Sequence, residues 1–386
     1  MMQMAQMKAQ MEQVMALVEE INFNPYYNVI DGDGYIDLAS NNYLGLAMAE
    51  ATKKAAAEAI MRYGTSMCGS PVANGYIGLF RAVEKKLAEF IGLDDALIFP
   101  SCYQANTGVF VALAGDEDVI IVDTRAHSSI MQGIKGVRCK VFPFRHNDMG
   151  HLEKILSRSG AYAHRYVVTD SVFSTDGSLA PIGAIVDLCG RYDAIPVVDD
   201  SHGFGVLGKT GRGALEHFGI EKFGGIYTAS LAKAFANNGG VLAGSFEILE
   251  YLRLYCPHLA YSTAVPPAIL GGILGALYAI EKDFARLAPK MWDYRHRIRS
   301  SVTEAGIRLL DGVSPINAVF TGNVRNTLLL SKALYEKGVL SMAFIEPSVP
   351  KGECLVRLVA NAGLDEDQIE RACEIIGECG CGISWS

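Results

Sequence analysis

The chain has 386 residues, 50% of them hydrophobic and 20% charged, enough to bury the core of a large domain and a smaller companion. A net charge of −8, with lysine and arginine scattered rather than gathered into a stripe, argues against a nucleic-acid surface or a basic membrane-binding patch. Nine cysteines without regular spacing match reduced thiols; the one cluster, Cys373, Cys379 and Cys381, fits no zinc signature, and no metal site is expected.

Residues 1–20 place Met, Ala and Gln at helical spacing. No cationic stretch precedes a long apolar block there, so a helix is predicted rather than a secretory signal, and a cytoplasmic protein is expected. Residues 22–36, turn-rich around Asp31-Gly32-Asp33-Gly34, connect this helix to the loop 37–45. From about residue 51 an alternation begins: helices 51–62 and 80–90, strand 96–100, helix 104–114, strand 119–123, then strands 140–144, 165–171 and 194–199 with helical patterns between them. Such alternation implies a mostly parallel sheet with helices on both faces. Two short apolar strands follow at 225–230 and 241–245.

The uncharged stretch 264–280 is close in length to a membrane span, but its Val265-Pro266-Pro267 start and its glycines predict a buried helix, with a subunit contact as one place for it. From residue 284 the pattern changes to a polar helix, 293–305, followed by shorter strands and helices. The expected organisation is α/β: an amino-terminal helix and connector over 1–45, a large domain over 46–284, and a smaller carboxyl-terminal α/β domain over 285–386.

Chemistry concentrates between the strands at 225–230 and 241–245, where Ser230-Leu231-Ala232-Lys233-Ala234-Phe235 sets one lysine among small and apolar neighbours. Upstream, an apolar run ends in Asp199-Asp200-Ser201-His202, placing acids and an imidazole at the carboxyl end of a strand, where open parallel sheets bind ligands. An amine, a carboxylate and a histidine at neighbouring strand ends suit pyridoxal phosphate: the lysine for the Schiff base, the carboxylate to keep the pyridine nitrogen protonated. Successive strand side chains point to opposite faces, so Asp199 and Asp200 cannot both serve one ring, and Asp199 is assigned to it. The same local sequence also allows an ordinary surface lysine in a small-residue loop. A dinucleotide fingerprint, Gly203-Phe204-Gly205-Val206-Leu207-Gly208, follows the same strand, but Lys209-Thr210-Gly211-Arg212-Gly213 leaves no clean helix start behind it.

The segments Asn41-Asn42-Tyr43-Leu44-Gly45-Leu46, Val172-Phe173-Ser174-Thr175-Asp176-Gly177, Asp199-Asp200-Ser201-His202, Gly211-Arg212-Gly213, the Lys233 segment and Ser262-Thr263-Ala264-Val265-Pro266-Pro267 resemble, in order and rough spacing, those of the α-oxoamine synthases. The resemblance covers nearly the whole chain. It implies a fold-type-I transferase dependent on pyridoxal 5'-phosphate and working as a homodimer. Carried over residue by residue, it makes Lys233 the cofactor lysine, Asp199 the partner of the ring nitrogen, His202 and Ser174 contacts of the ring hydroxyl, and His127 the histidine stacked on the ring. Ser101, Cys102 and Tyr103 match the phosphate loop at a helix start, and Ser230 stands where threonine is common. Ser262 and Thr263 would reach the phosphate from the neighbouring subunit. Arg357, an arginine inside the apolar strand 354–358, matches the residue that holds the substrate carboxylate, with Asn41 as its helper. His127 also reads as a helix cap, and Arg357 as half of a structural ion pair.

Two positions depart from the family pattern: Pro71 stands where arginine is usual, and Phe80 where histidine is usual. Cys102 replaces a usual glycine. The implied reaction condenses a small amino acid with an acyl thioester, on coenzyme A or a carrier protein, losing carbon dioxide to give an α-aminoketone. Another enzyme of the same fold, an aminotransferase, aldolase or decarboxylase, would keep Lys233 and Asp199 while treating a different second substrate. A non-catalytic partner subunit would not need Lys233, Asp199 and His127 together.

Overall fold

The computed structural model describes residues 2–25 and 34–380, so that Asp31-Gly32-Asp33 and Cys381 lie outside the described residues. In chain order the elements are α1 (Met2–Ile21), β1 (Ile36–Asp37), α2 (Glu50–Tyr63), α3 (Gly78–Ile91), β2 (Asp95–Phe99), α4 (Cys102–Leu113), β3 (Val119–Asp123), α5 (Ser128–Lys135), β4 (Lys140–Phe144), α6 (Met149–Leu156), β5 (Arg165–Asp170), α7 (Ile182–Arg191) and β6 (Ile195–Asp199). Then come α8 (Ala214–His217), β7 (Ile226–Ser230), β8 (Gly240–Gly244), α9 (Phe246–Tyr255), α10 (Pro257–Ala260), α11 (Pro267–Glu304), β9 (Ile316–Gly322), α12 (Val324–Glu336), β10 (Val339–Leu340), β11 (Met342–Phe344), β12 (Cys354–Val359) and α13 (Glu366–Gly380).

The chain divides into two compact units, one of residues 42–174 and 178–288, the other of residues 1–41, 175–177 and 289–386. The larger unit holds a seven-stranded sheet among its described residues, in the order β2-β8-β7-β6-β5-β3-β4. The neighbours from β7 to β4 run parallel, and β8 is antiparallel to both β7 and β2. Leu97, Ile120, Val168, Val197 and Leu242 of its strands pack with Val109, Phe110, Ile130 and Leu252 of α4, α5 and α9 in one apolar cluster. Because the parallel strands are covered on both faces, their residues are buried without alternation, as in β3, β5 and β7.

Most of the stretch 264–280, from Pro267 on, forms the start of α11. Leu270, Ile273, Leu277 and Ile280 are fully buried, and two of its three glycines meet α2 closely: a Cβ at Gly271 would stand 2.4 Å from the Ala55 carbonyl oxygen, and one at Gly275 2.6 Å from that of Ala51. Glycine is what lets the two backbones approach. No helix among the described residues is long and apolar enough to cross a membrane.

In the smaller unit β9, β12 and β11 form an antiparallel sheet, and β1 pairs in parallel with β10. The organisation differs from the expected one in two respects. Residues 1–41 belong to the carboxyl-terminal unit, because β1 hydrogen-bonds to β10 and α1 lies on α12, with Glu20 ion-paired to Arg325 at 2.8 Å. The apolar and polar helices expected at 264–280 and 293–305 are one 38-residue helix, α11, and the units divide between Ala288 and Pro289 inside it.

Candidate active site

A cavity of about 270 Å³ opens in the larger unit, where β5, β6 and β7 end and α4 begins. Lys233 lines it from the nine-residue connection 231–239 between the antiparallel β7 and β8. That connection is pinned by Leu231 N–H donating to Gly239 O at 3.0 Å and Asn237 N–H to Leu231 O at 2.9 Å. The lysine is half-buried, with Ala234 and Phe235 beneath it in the core. Phe235 stacks on Phe204 with ring centroids 4.5 Å apart. The glycine run 203–208 is thereby a packing turn: a Cβ at Gly205 would come 2.5 Å from that of Ala234, and only the four-residue α8 follows it. It offers no helix start to a dinucleotide.

Asp199 is the last residue of β6 and lines the cavity; Asp200 faces away from it. The Asp200 carboxylate accepts from the Ser171 hydroxyl, from Ala214 N–H at 2.7 Å and from the Tyr227 hydroxyl at 2.7 Å, and burial pushes its pKa up to about 7. Asp199 accepts from Ser201 N–H at 2.9 Å and from the Asn106 amide at 2.6 Å. His202 lines the same cavity, sharing a 2.7 Å hydrogen bond between its Nδ1 and the Tyr43 hydroxyl.

His127 stands just before α5, and its backbone N–H donates to Asp170 Oδ2 at 2.9 Å. Burial lowers the pKa of its ring below that of a free histidine. It is also the cap of α5, accepting from Ser129 N–H at 3.3 Å, so the cap reading and the lining position hold together. Burial, and then the neighbouring Asp199, push Asp170 well above the ordinary carboxylate range.

The Ser101 side chain caps α4 by accepting from Gln104 N–H at 3.2 Å, and Ser101, Cys102 and Tyr103 all line the cavity. At Gly240 a Cβ would stand 2.4 Å from Cys102 N, so β8 lies directly against this helix start. The cavity thus gathers an amine, a carboxylate, two imidazoles and the N–H end of a twelve-residue helix. That donor set fits pyridoxal phosphate: an amine for its aldehyde, a carboxylate for its ring nitrogen, and a helix start for its phosphate dianion.

Of the expected residues, Ser101, Cys102, Tyr103, His127, Asp199, His202, Ser230 and Lys233 line this cavity. Ser174, Ser262 and Thr263 do not: Ser174 lies in the turn after β5, and Ser262 accepts from the Gln104 amide at 3.2 Å on a segment where Thr263 is exposed. Asn41 and Arg357 belong to the other unit. Arg357 is buried in the middle of β12, its guanidinium 5.1 Å from the centre of the Phe344 ring. Phe80 is a core residue beside Tyr76, ring centroids 5.5 Å apart, and Pro71 opens the tight coil Pro71–Gly75. The sequence reading missed Asn106, Ser129, Asp170 and Ser201 among the lining residues, and Tyr43 behind His202. Asp170 carries the signal Asp199 carries, an acid ending an apolar strand, and pairs with it in register.

The family model for aminotransferases of class I and II matches residues 33–376. The chain is 34% identical over 358 residues to 8-amino-7-oxononanoate synthase of Alkaliphilus oremlandii, covering 92% of this chain and 90% of that protein. It is 32% identical over 350 residues to serine palmitoyltransferase of Bacteriovorax stolpii, covering 90% and 83%. Among solved structures, serine palmitoyltransferase of Sphingomonas wittichii superposes with a TM-score of 0.92 at 27% identity, over 97% of both chains.

Proposed function

The chain belongs to the aminotransferase class I and II family and, within it, to the α-oxoamine synthases, and on that premise we propose how its own residues divide the work. It is a pyridoxal-phosphate-dependent acyltransferase that condenses an amino acid with an acyl thioester and, with loss of carbon dioxide, yields an α-aminoketone. The bound cofactor supplies an aldehyde carbon for amines and a ring that accepts electrons.

Lys233 would hold the cofactor through its aldehyde carbon, and its Nζ is the base that would take the α-proton of the amino acid. Asp199 keeps a proton on the ring nitrogen. His127 would cover one face of the ring and exclude water, and His202 would hold the ring oxygen; Ser174, outside the cavity lining, is kept as a second contact only on the family resemblance. Ser101, Cys102 and Tyr103 bind the phosphate through backbone N–H groups at the start of α4, with Ser230 beside them. Arg357 holds the carboxylate of a small amino acid, with Asn41 assisting; the support is a guanidinium buried in the centre of an apolar strand. The protein works as a homodimer in which Ser262 and Thr263 serve the neighbouring subunit's phosphate. Large side chains left exposed near them, Leu254, Tyr255 and Tyr261, support such a contact. Residence in the cytoplasm fits the eight free thiols among the described residues.

The observation that carries the reading is the convergence of Lys233, Asp199, His127 and the start of α4 on one cavity. Purified protein loaded with pyridoxal phosphate and given a panel of amino acids and acyl thioesters should release free thiol only when both are present, with an aminoketone seen by mass spectrometry. Keto-acid formation without thiol release from any donor overturns it.

A further inference from the structure

Asn106 lies on the second turn of α4, 2% exposed, and its side chain meets three elements at once. Its amide nitrogen donates to Asp199 Oδ2 at 2.6 Å and to Ser129 Oγ at 3.0 Å, and its oxygen accepts from the Thr228 hydroxyl of β7 at 2.8 Å. The direction of each bond is determined. A reversed amide would set its oxygen 2.6 Å from a carboxylate oxygen, so the nitrogen must face Asp199. With that nitrogen donating to Ser129 Oγ, the serine's own proton is free for His127 Nδ1, 2.7 Å away. Ser129 N–H also points at Nδ1, at 3.3 Å, so this ring nitrogen carries the lone pair and the proton sits on Nε2.

We propose that Asn106 is a positioning residue of the cofactor site: a single amide fixes both the carboxylate of Asp199 and the Nε2–H tautomer of His127. The proposal rests on the reading that this cavity holds pyridoxal phosphate. With Ser201 N–H on Oδ1 and Asn106 on Oδ2, the carboxylate is clamped from both oxygens before any ligand arrives. The imidazole is clamped through Ser129 by the same residue. The carboxylate assigned to the ring nitrogen and the histidine assigned to the ring face are therefore set by one side chain on the cavity wall. A partner of this kind costs about 10–100-fold in function when removed, by analogy with the outer-shell partners of metal ligands.

The test begins on the cofactor-free chain. Nitrogen NMR of ¹⁵N-histidine-labelled protein should show His127 as the Nε2–H tautomer. Asn106→Leu, similar in size but without donors, should raise the Nδ1–H form, and in the loaded enzyme should lower kcat about 10–100-fold while KM for the acyl thioester stays within about twofold. Asn106→Asp adds a pH signature. The titratable groups lining the cavity with it are Cys102, Tyr103, His127, Asp170, Asp199, His202 and Lys233. An introduced carboxyl can donate to Asp199 only when protonated, so this variant should recover turnover as pH falls, and Asn106→Leu should not. Should Asn106→Leu fail to fold, Ser129→Ala breaks the relay to His127 alone and should raise the Nδ1–H form in the same way. A wild-type His127 in the Nδ1–H form overturns the proposal, as does an Asn106→Leu protein with unchanged tautomer and turnover but a lower melting temperature. A wild-type protein that shows the Nε2–H form yet never develops the cofactor's visible band refutes the cofactor reading instead.

Discussion

Two groups of buried carboxylates in the larger unit are treated in opposite ways. Behind β2, Glu84 and Asp95 are met by guanidinium groups: Arg253 lies 3.2 Å from Glu84 and 3.3 Å from Asp95, Arg81 lies 2.6 Å from Asp95, and the Tyr76 hydroxyl donates to Glu84 at 2.7 Å. In the cavity, Asp199 is held by a neutral amide and a backbone N–H, and Asp170 accepts from the backbone of His127. The first group balances its charge inside the protein and ties α3, β2 and α9 together. On the role proposed for Asp199, the second leaves its carboxylate to be met by a ligand cation, as a pyridinium ring would provide. Internal ion pairing thus marks scaffold here, and neutral clamping marks a site.

The contrast breaks if substitutions in the two groups fail to separate activity from stability. Lys233→Ala should lower thiol release at least about 10⁴-fold, with an unchanged denaturation midpoint. Asp199→Asn, which removes the charge and keeps the shape, should cost about 10²–10³-fold in kcat with little change in melting temperature. Glu84→Ala should do the reverse: it leaves the Tyr76 hydroxyl without its acceptor and Arg253 with only Asp95 and Glu250, costing about 1–3 kcal/mol in urea unfolding, while turnover per folded molecule is retained.

Smaller effects sharpen the same line. The Asp200 carboxyl, held at about 7 by burial, keeps a proton in the folded chain that the unfolded chain releases near pH 3.8. Its contribution to stability is complete below pH 3.8 and is lost as pH rises through 7. Between pH 6 and pH 8 the protein should therefore lose about 1–1.5 kcal/mol from this group, a slope absent in Asp200→Asn. Burial also raises the Cys102 thiol far above its ordinary range, so it should resist alkylation at pH 8, and Cys102→Ser should change turnover least of these substitutions.

The alternation of strands and helices was legible because each period fits its own short segment, and Lys233, Asp199 and His202 because strand ends announce themselves. Asn106, Ser129 and Asp170 were not, since each acquires its place only through neighbours far along the chain: Asn106 meets Asp199 across 93 positions and Thr228 across 122. The long α11 was read as two helices because its side chains change from apolar to polar along its length while the backbone continues unbroken. The membership of residues 1–41 was hidden for a related reason. A two-residue strand such as β1 has no pattern of its own, and only its partner β10 reveals it.

The reversed strand β8 has a mechanical consequence for Lys233. A parallel neighbour would demand a long crossover, whereas this antiparallel return keeps the lysine on a short strap whose two ends are stitched into the sheet and to each other. The strap has little freedom to swing. In the role proposed for Lys233, its nitrogen would reach both cofactor and substrate by torsion about its own four methylenes, so side-chain length would set its arc.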